Sequence, residues 1–213
     1  MKTPEVIARL AQLRIIPVIV IDNADDAKPL AEALLAGGLP CAEVTFRTAA
    51  ALDAIRIIAQ VPGMLVGAGT VLKPEQAQAA ADAGAQFIVT PGFNPRVVSY
   101  CVSRGIPITP GVSDPTSIEL ALEHGLDVVK FFPAEACGGL PYLKAIAAPY
   151  SMMRFIPTGG IEPGNLQSYL AFPKIVACGG TWMVKADLLK NRDWAKITQL
   201  TREAVALAQT PAK

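Results

Sequence analysis

Lys130 is the one charged residue in the apolar run Val128-Val129-Lys130-Phe131-Phe132-Pro133. The β-branched and aromatic make-up of that run is that of a buried strand. Burial penalises an ammonium, so a lysine survives there only where something compensates. A neutral amine is what an imine-forming nucleophile requires, and Lys130 is the candidate for that chemistry. The plain alternative is a strand-end lysine whose stem packs while its head reaches water. A second run, Cys41-Ala42-Glu43-Val44-Thr45-Phe46-Arg47, carries a carboxylate and a guanidinium. Strand alternation sends positions 41, 43, 45 and 47 to one face and 42, 44 and 46 to the other. With the apolar set turned outward, Glu43 and Arg47 point in. Glu43 then suits general acid–base work, and Arg47 suits a two-pronged grip on a carboxylate. The plain alternative for these two is an ion pair with each other.

Two glycine pairs supply a second chemistry. Thr158-Gly159-Gly160 stands just before the helix-opening Glu162-Pro163, and Gly179-Gly180-Thr181 follows the last apolar run. Free backbone N–H groups at such turns bind phosphate, with the Thr181 hydroxyl as a further donor, and the plain alternative for either pair alone is a tight turn and nothing more. Gly67-Ala68-Gly69 has the opening of a dinucleotide fingerprint, but Leu72 stands where its third glycine belongs. That reading is discarded. No metal site is expected. The single histidine, His124 in Glu123-His124-Gly125, has the form of a helix C-terminus, where a cation suits the dipole. Cys41, Cys101, Cys137 and Cys178 are widely spaced and read as reduced thiols in or near the core.

Eight short apolar runs carry these groups, at 16–21, 41–46, 65–70, 87–90, 107–109, 128–132, 154–157 and 175–178, with starts 20 to 26 residues apart. Ala-rich helical segments alternate with them, among them 25–36, 49–59, 74–83, 95–103 and 115–123. Several open on proline and close on glycine. Strand–helix units of this period demand parallel pairing with right-handed crossovers. Eight nearly equal units with no linker favour one α/β domain over 1–213, a (β/α)8 TIM barrel with an extra N-terminal helix over about 4–13 closing its bottom. A doubly wound sheet is the alternative. In a barrel the chemistry sits at the C-terminal strand ends, and phosphate is commonly held after strands 7 and 8. These are the places where Glu43, Lys130 and both glycine pairs fall. A short frayed tail is expected over 210–213.

Composition narrows the function classes. The 213 residues are 52% hydrophobic, enough for a large core, and Lys+Arg 19 against Asp+Glu 18 leaves a net charge of +1. No basic stripe points to nucleic acid, and no apolar run approaches the about 20 residues of a membrane helix. The amino terminus lacks a signal-peptide core, so a soluble cytoplasmic protein is expected.

Together, Glu43-Val44-Thr45-Phe46-Arg47-Thr48, Val66-Gly67-Ala68-Gly69-Thr70-Val71-Leu72, Lys130-Phe131-Phe132-Pro133-Ala134-Glu135, Pro157-Thr158-Gly159-Gly160-Ile161 and Gly179-Gly180-Thr181-Trp182 resemble the 2-keto-3-deoxy-6-phosphogluconate aldolase family. Its bifunctional members also cleave 4-hydroxy-2-oxoglutarate. The resemblance runs from about Ile15 to the final helix. It implies a class I pyruvate aldolase of the Entner–Doudoroff pathway, a homotrimer working without a cofactor. It implies Lys130 as the Schiff-base lysine, Glu43 as the proton shuttle, and Arg47 with Thr70 on the pyruvate carboxylate. Pro91 and Phe132 would line the site, and Thr158, Gly159, Gly160 and Thr181 would hold the 6-phosphate. The chain departs from the pattern at Thr181, where some relatives carry serine, and at Cys137, where related sequences carry asparagine. The rival expectations are a sibling aldolase for the galactonate epimer, a phosphosugar isomerase, and a non-catalytic phosphosugar sensor.

Overall fold

A computed structural model describes residues 2–210. Helix α1 (Thr3–Leu13) leads into β1 (Ile15–Ile19), a single 3-10 turn, and α2 (Ala27–Ala36). The alternation continues with β2 (Cys41–Thr45), α3 (Ala51–Ala59), β3 (Leu65–Gly69), α4 (Pro74–Asp82), β4 (Phe87–Val89) and α5 (Pro95–Arg104). Next come β5 (Ile108–Thr109), β6 (Gly111–Val112), α6 (Pro115–Glu123), β7 (Val128–Phe131), α7 (Gly139–Ala147) and β8 (Arg154–Pro157). The described chain closes with α8 (Pro163–Leu170), β9 (Cys178–Gly180), α9 (Ala186–Lys190) and α10 (Trp194–Gln209). Beyond Thr210, the tail expected to fray lies outside the described residues.

Helix starts follow the proline signals. Pro95 and Pro115 open α5 and α6, where Asn94 accepts from the Arg96 N–H and Asp114 from the Ser117 N–H. His124 caps the C-terminus of α6, with Nδ1 2.8 Å from the Leu120 carbonyl and Nε2 3.2 Å from the Ser99 hydroxyl. The structural reading of that histidine holds.

Among the described residues all strand pairs are parallel. They form a six-stranded sheet, β5-β4-β3-β2-β1-β9, and a three-stranded one, β6-β7-β8. Neighbours in sequence are neighbours in space and the first strand pairs with the last, which is not the order of a doubly wound sheet. Two differences from the expected strands stand out, the first with a backbone cause. The fifth unit splits in two because Pro110, between β5 and β6, has no N–H for a ladder, although its carbonyl accepts from Lys130 N at 2.9 Å. The last strand begins only at Cys178, and Ile175 contributes an isolated bridge to Phe155.

Alternation divides the apolar residues into two clusters. Ile19, Ala42, Val44, Val66, Ala68, Val129 and Phe131 face the helices. Ile16, Cys41, Leu65, Phe87, Val128 and Ile156 face the other way and meet Val6, Ile7 and Leu10 of α1. Gly67 is needed within that inner layer, because a Cβ there would stand 2.3 Å from the Phe87 ring. Leu10 is fully buried against the inner layer. Leu10→Ala is expected to destabilise the fold by about 3 kcal/mol, read as a lower urea midpoint at unchanged slope. An unchanged midpoint would show that α1 does not seal that end.

Candidate active site

The inner face changes character toward the C-terminal strand ends. Above the apolar layer lie Glu43, Thr45, Thr90, Thr109, Lys130 and Thr158, each buried. Glu43 is 2% exposed and Lys130 5%, and Lys130 Nζ lies 3.4 Å from Glu43 Oε1. The two come from β2 and β7, strands of different sheets, so this contact spans the space between the sheets. Lys130 Nζ also sits 5.0 Å from the centre of the Phe132 ring. The snorkelling alternative therefore fails. The amine points into the interior and meets the Glu43 side chain there.

Gly69 makes the pair possible. A Cβ at that position would stand 2.3 Å from Glu43 Oε1, so any larger residue displaces the carboxylate. Thr70, next along, adopts φ +56°, the left-handed region that a β-branched residue rarely enters. Such strain, of order 1–3 kcal/mol, persists only where the surroundings over-determine it. Thr90 fixes the following turn, with its hydroxyl donating to the Gly92 carbonyl at 2.7 Å and accepting from Gly111 N at 3.3 Å. That turn carries Pro91. Pro91 and Phe132 both border a cavity of about 360 Å³ that also reaches Ser113 and Asp114.

Arg47 lies outside the strand whose alternation is expected to turn it inward. β2 ends at Thr45, so alternation no longer governs position 47, and Arg47 is exposed on the turn that follows. Among the described residues its guanidinium makes no ion pair, and Glu43 pairs with Lys130 instead. Arg47 is therefore a free cation beyond the end of β2 rather than a partner for Glu43.

The two glycine pairs are also unlike. Gly159 and Gly160 form a turn after β8, at φ +98° and +80°. Among the described residues neither N–H donates to a backbone carbonyl. Gly179 and Gly180 instead belong to β9, and their lack of a side chain makes room for neighbours. A Cβ on Gly179 would meet Thr158 Oγ1 at 2.4 Å, and one on Gly180 would meet the Trp182 ring at 1.9 Å. Among the described residues Thr158 Oγ1 is buried without a hydrogen-bond partner, and Thr181 is exposed just past β9. The two residues lie close in the fold, since Thr158 and Gly179 bridge.

Sequence reasoning passed over Gly69 as a spacer for the carboxylate and Thr90 as the anchor of the Pro91 turn. Both roles depend on contacts across strands, for which a single run of sequence has no signal. All four cysteines are free thiols, with Cys41, Cys101 and Cys178 buried. Burial pushes the Cys101 thiol up to about 12. Among the described residues no cluster of His, Cys, Asp and Glu is arranged to hold a metal ion, and no helix is long and apolar enough to cross a membrane.

The family model for KDPG and KHG aldolase matches residues 6–200. A 2-dehydro-3-deoxy-phosphogluconate aldolase of Haemophilus influenzae is 50% identical over 204 residues, 95% of this chain and 96% of its own. The structure of the 2-keto-3-deoxy-6-phosphogluconate aldolase of Zymomonas mobilis ZM4 with 3-phosphoglycerate superimposes with a TM-score of 0.91 at 45% identity, over 97% of each chain. KDPG aldolase from Legionella pneumophila, with pyruvate captured at low pH as a covalent carbinolamine intermediate, gives 0.89 at 41% identity, over 93% of this chain and 97% of its own. Similarity this high along nearly the whole of both chains, in sequence and in backbone, reflects common descent, and the chain belongs to the KDPG and KHG aldolase family.

Proposed function

We propose that this chain is a class I aldolase. Its substrate is 2-keto-3-deoxy-6-phosphogluconate, split into pyruvate and glyceraldehyde 3-phosphate, and it also splits 4-hydroxy-2-oxoglutarate into pyruvate and glyoxylate. The observation that carries the reading is the buried Lys130 amine 3.4 Å from Glu43. Lys130 Nζ attacks the C2 ketone, and Glu43 relays protons until the carbinolamine oxygen leaves as water. The carbinolamine in the Legionella relative is an intermediate of this kind. The iminium then withdraws electrons as C3–C4 breaks, while Glu43 takes the C4 hydroxyl proton through a water molecule. The aldehyde leaves, the enamine regains a proton at C3, and hydrolysis of the imine releases pyruvate and the free amine.

Recognition uses the residues around the pair. The exposed Arg47 guanidinium, with Thr70, grips the pyruvate carboxylate, and Pro91 and Phe132 line the site. The free N–H groups of Gly159 and Gly160, with the hydroxyls of Thr158 and Thr181, hold the 6-phosphate. The same proposal includes one domain over 1–213, strands closing into a (β/α)8 barrel with α1 over the bottom, a homotrimer, and a cytoplasmic setting. Bridges from Thr158 to Gly179 and from Phe155 to Ile175 support closure by linking the two sheets. Light scattering tests the trimer, for which a mass of three chains is expected.

The test of the chemistry is borohydride reduction in the presence of pyruvate, followed by peptide mass mapping. A reduced pyruvyl adduct on Lys130 is expected. Folded protein with Lys130 unmodified sinks the reading.

A further inference from the structure

Between β7 and α7 the chain runs Phe132-Pro133-Ala134-Glu135-Ala136-Cys137-Gly138 and lies along the Gly159-Gly160 turn. Ala134 N donates to the Thr158 carbonyl at 2.8 Å, and Glu135 N to the Gly159 carbonyl at 3.0 Å. The Glu135 stem covers Gly160 so closely that a Cβ there would stand 2.6 Å from Glu135 Cβ and Cγ. Its carboxylate accepts the Tyr169 hydroxyl at 2.5 Å. Tyr169 belongs to α8, the helix that follows the same turn, and is 1% exposed. Gly139 leaves the space for this contact, since a Cβ there would lie 3.1 Å from Glu135 Oε1 and 3.5 Å from Tyr169 Oη. Asn165 holds the turn from its far end, donating to the Gly160 carbonyl and accepting from Glu162 N, both at 2.9 Å.

Two successive glycines in the left-handed region are the least rigid backbone available, so a turn built from them needs outside support to present its N–H groups together. The Tyr169–Glu135 hydrogen bond supplies a brace from both flanks, joining the helix after the turn to the loop that continues the Lys130 strand. Burial first, and then the Glu135 carboxylate, raise the Tyr169 pKa, so the hydroxyl stays a donor across the neutral range.

We infer that Glu135 and Tyr169 are positioning residues that hold the Gly159-Gly160 turn ready for a phosphate monoester, and so set the preference for phosphorylated over unphosphorylated keto acids. The inference rests on the proposed function. Tyr169→Phe removes the hydroxyl and keeps the buried ring. It is expected to raise KM for 2-keto-3-deoxy-6-phosphogluconate, and the calorimetric Kd for 3-phosphoglycerate, by about tenfold. Over the same comparison kcat, and KM for 4-hydroxy-2-oxoglutarate, stay within about twofold. Glu135→Ala reproduces that pattern, and Glu135→Gln, which keeps an acceptor, restores most of the loss. Glu135 is exposed, so its variants decide the matter should Tyr169→Phe fail to fold. An equal rise in KM for both substrates, a fall in kcat alone, or unchanged phosphate affinity overturns the inference. Wild-type protein that cleaves neither substrate sinks the functional reading instead. Binding of 3-phosphoglycerate, with glycerate as the phosphate-free control, then still decides the positioning role.

Discussion

Lys130→Ala abolishes borohydride trapping and lowers kcat by about 10⁵-fold, to the floor of the assay, if the proposed chemistry is right. No other group in the site can take over. An imine needs a primary amine at the reacting carbon, and the other cation proposed for the site, Arg47, is a guanidinium exposed on a turn. The substitution also leaves Glu43 buried without its partner, and removing one member of a buried pair is destabilising by about 3–5 kcal/mol. Loss of activity must therefore be separated from loss of fold. Circular dichroism gives one check, and chemical rescue gives a stronger one. Lys130→Cys treated with bromoethylamine rebuilds a lysine-length amine at the same place, and partial return of turnover is expected. Wild-type protein treated in parallel controls for Cys137, the half-buried thiol, whereas Cys41, Cys101 and Cys178 are shielded by burial. Turnover at the wild-type rate in Lys130→Ala would return the lysine to a purely structural role.

Much of this arrangement was legible because it depends on periodicity. The alternation of β2 put Cys41, Glu43 and Thr45 on one face and Ala42 and Val44 on the other, and the two clusters divide along that line. Pro95 and Pro115 marked the helix starts where they stand. Legibility thins where a strand stops: alternation carries no information about Arg47, two residues past the end of β2. The second glycine pair has the look of a turn because glycine serves two purposes, positive φ and empty space, and sequence alone does not separate them. At 159–160 the first applies, and at 179–180 the second. Pro110 broke the fifth strand for a reason visible in its chemistry, yet the two residues of β6 beyond it are too few to carry a periodic signal. The Glu135–Tyr169 contact joins positions 34 apart through a loop of no regular pattern.

Glu43→Gln separates the carboxylate's proposed proton transfer from its place in the packing. Glutamine has the same shape, fits the space that Gly69 leaves open, and offers Lys130 Nζ an oxygen at the same distance. What it lacks is a proton to give and a charge with which to take one back. A positioned general acid–base contributes about 10²–10⁴-fold, so kcat for cleavage is expected to fall by about 10³-fold with little change in KM. Imine formation with pyruvate needs proton transfer as well, but water can substitute slowly over a long incubation. Borohydride should therefore still trap an adduct on Lys130, at a reduced rate. The combination of slow cleavage with surviving adduct distinguishes a proton shuttle from a mere counter-ion. A counter-ion's loss would be largely repaired by Glu43→Asp if the shorter carboxylate still reached the amine, whereas a shuttle aligned on both the carbinolamine oxygen and the C4 hydroxyl would remain impaired. Wild-type kcat in Glu43→Gln would assign the proton transfers elsewhere and leave Glu43 as electrostatic support for Lys130 alone.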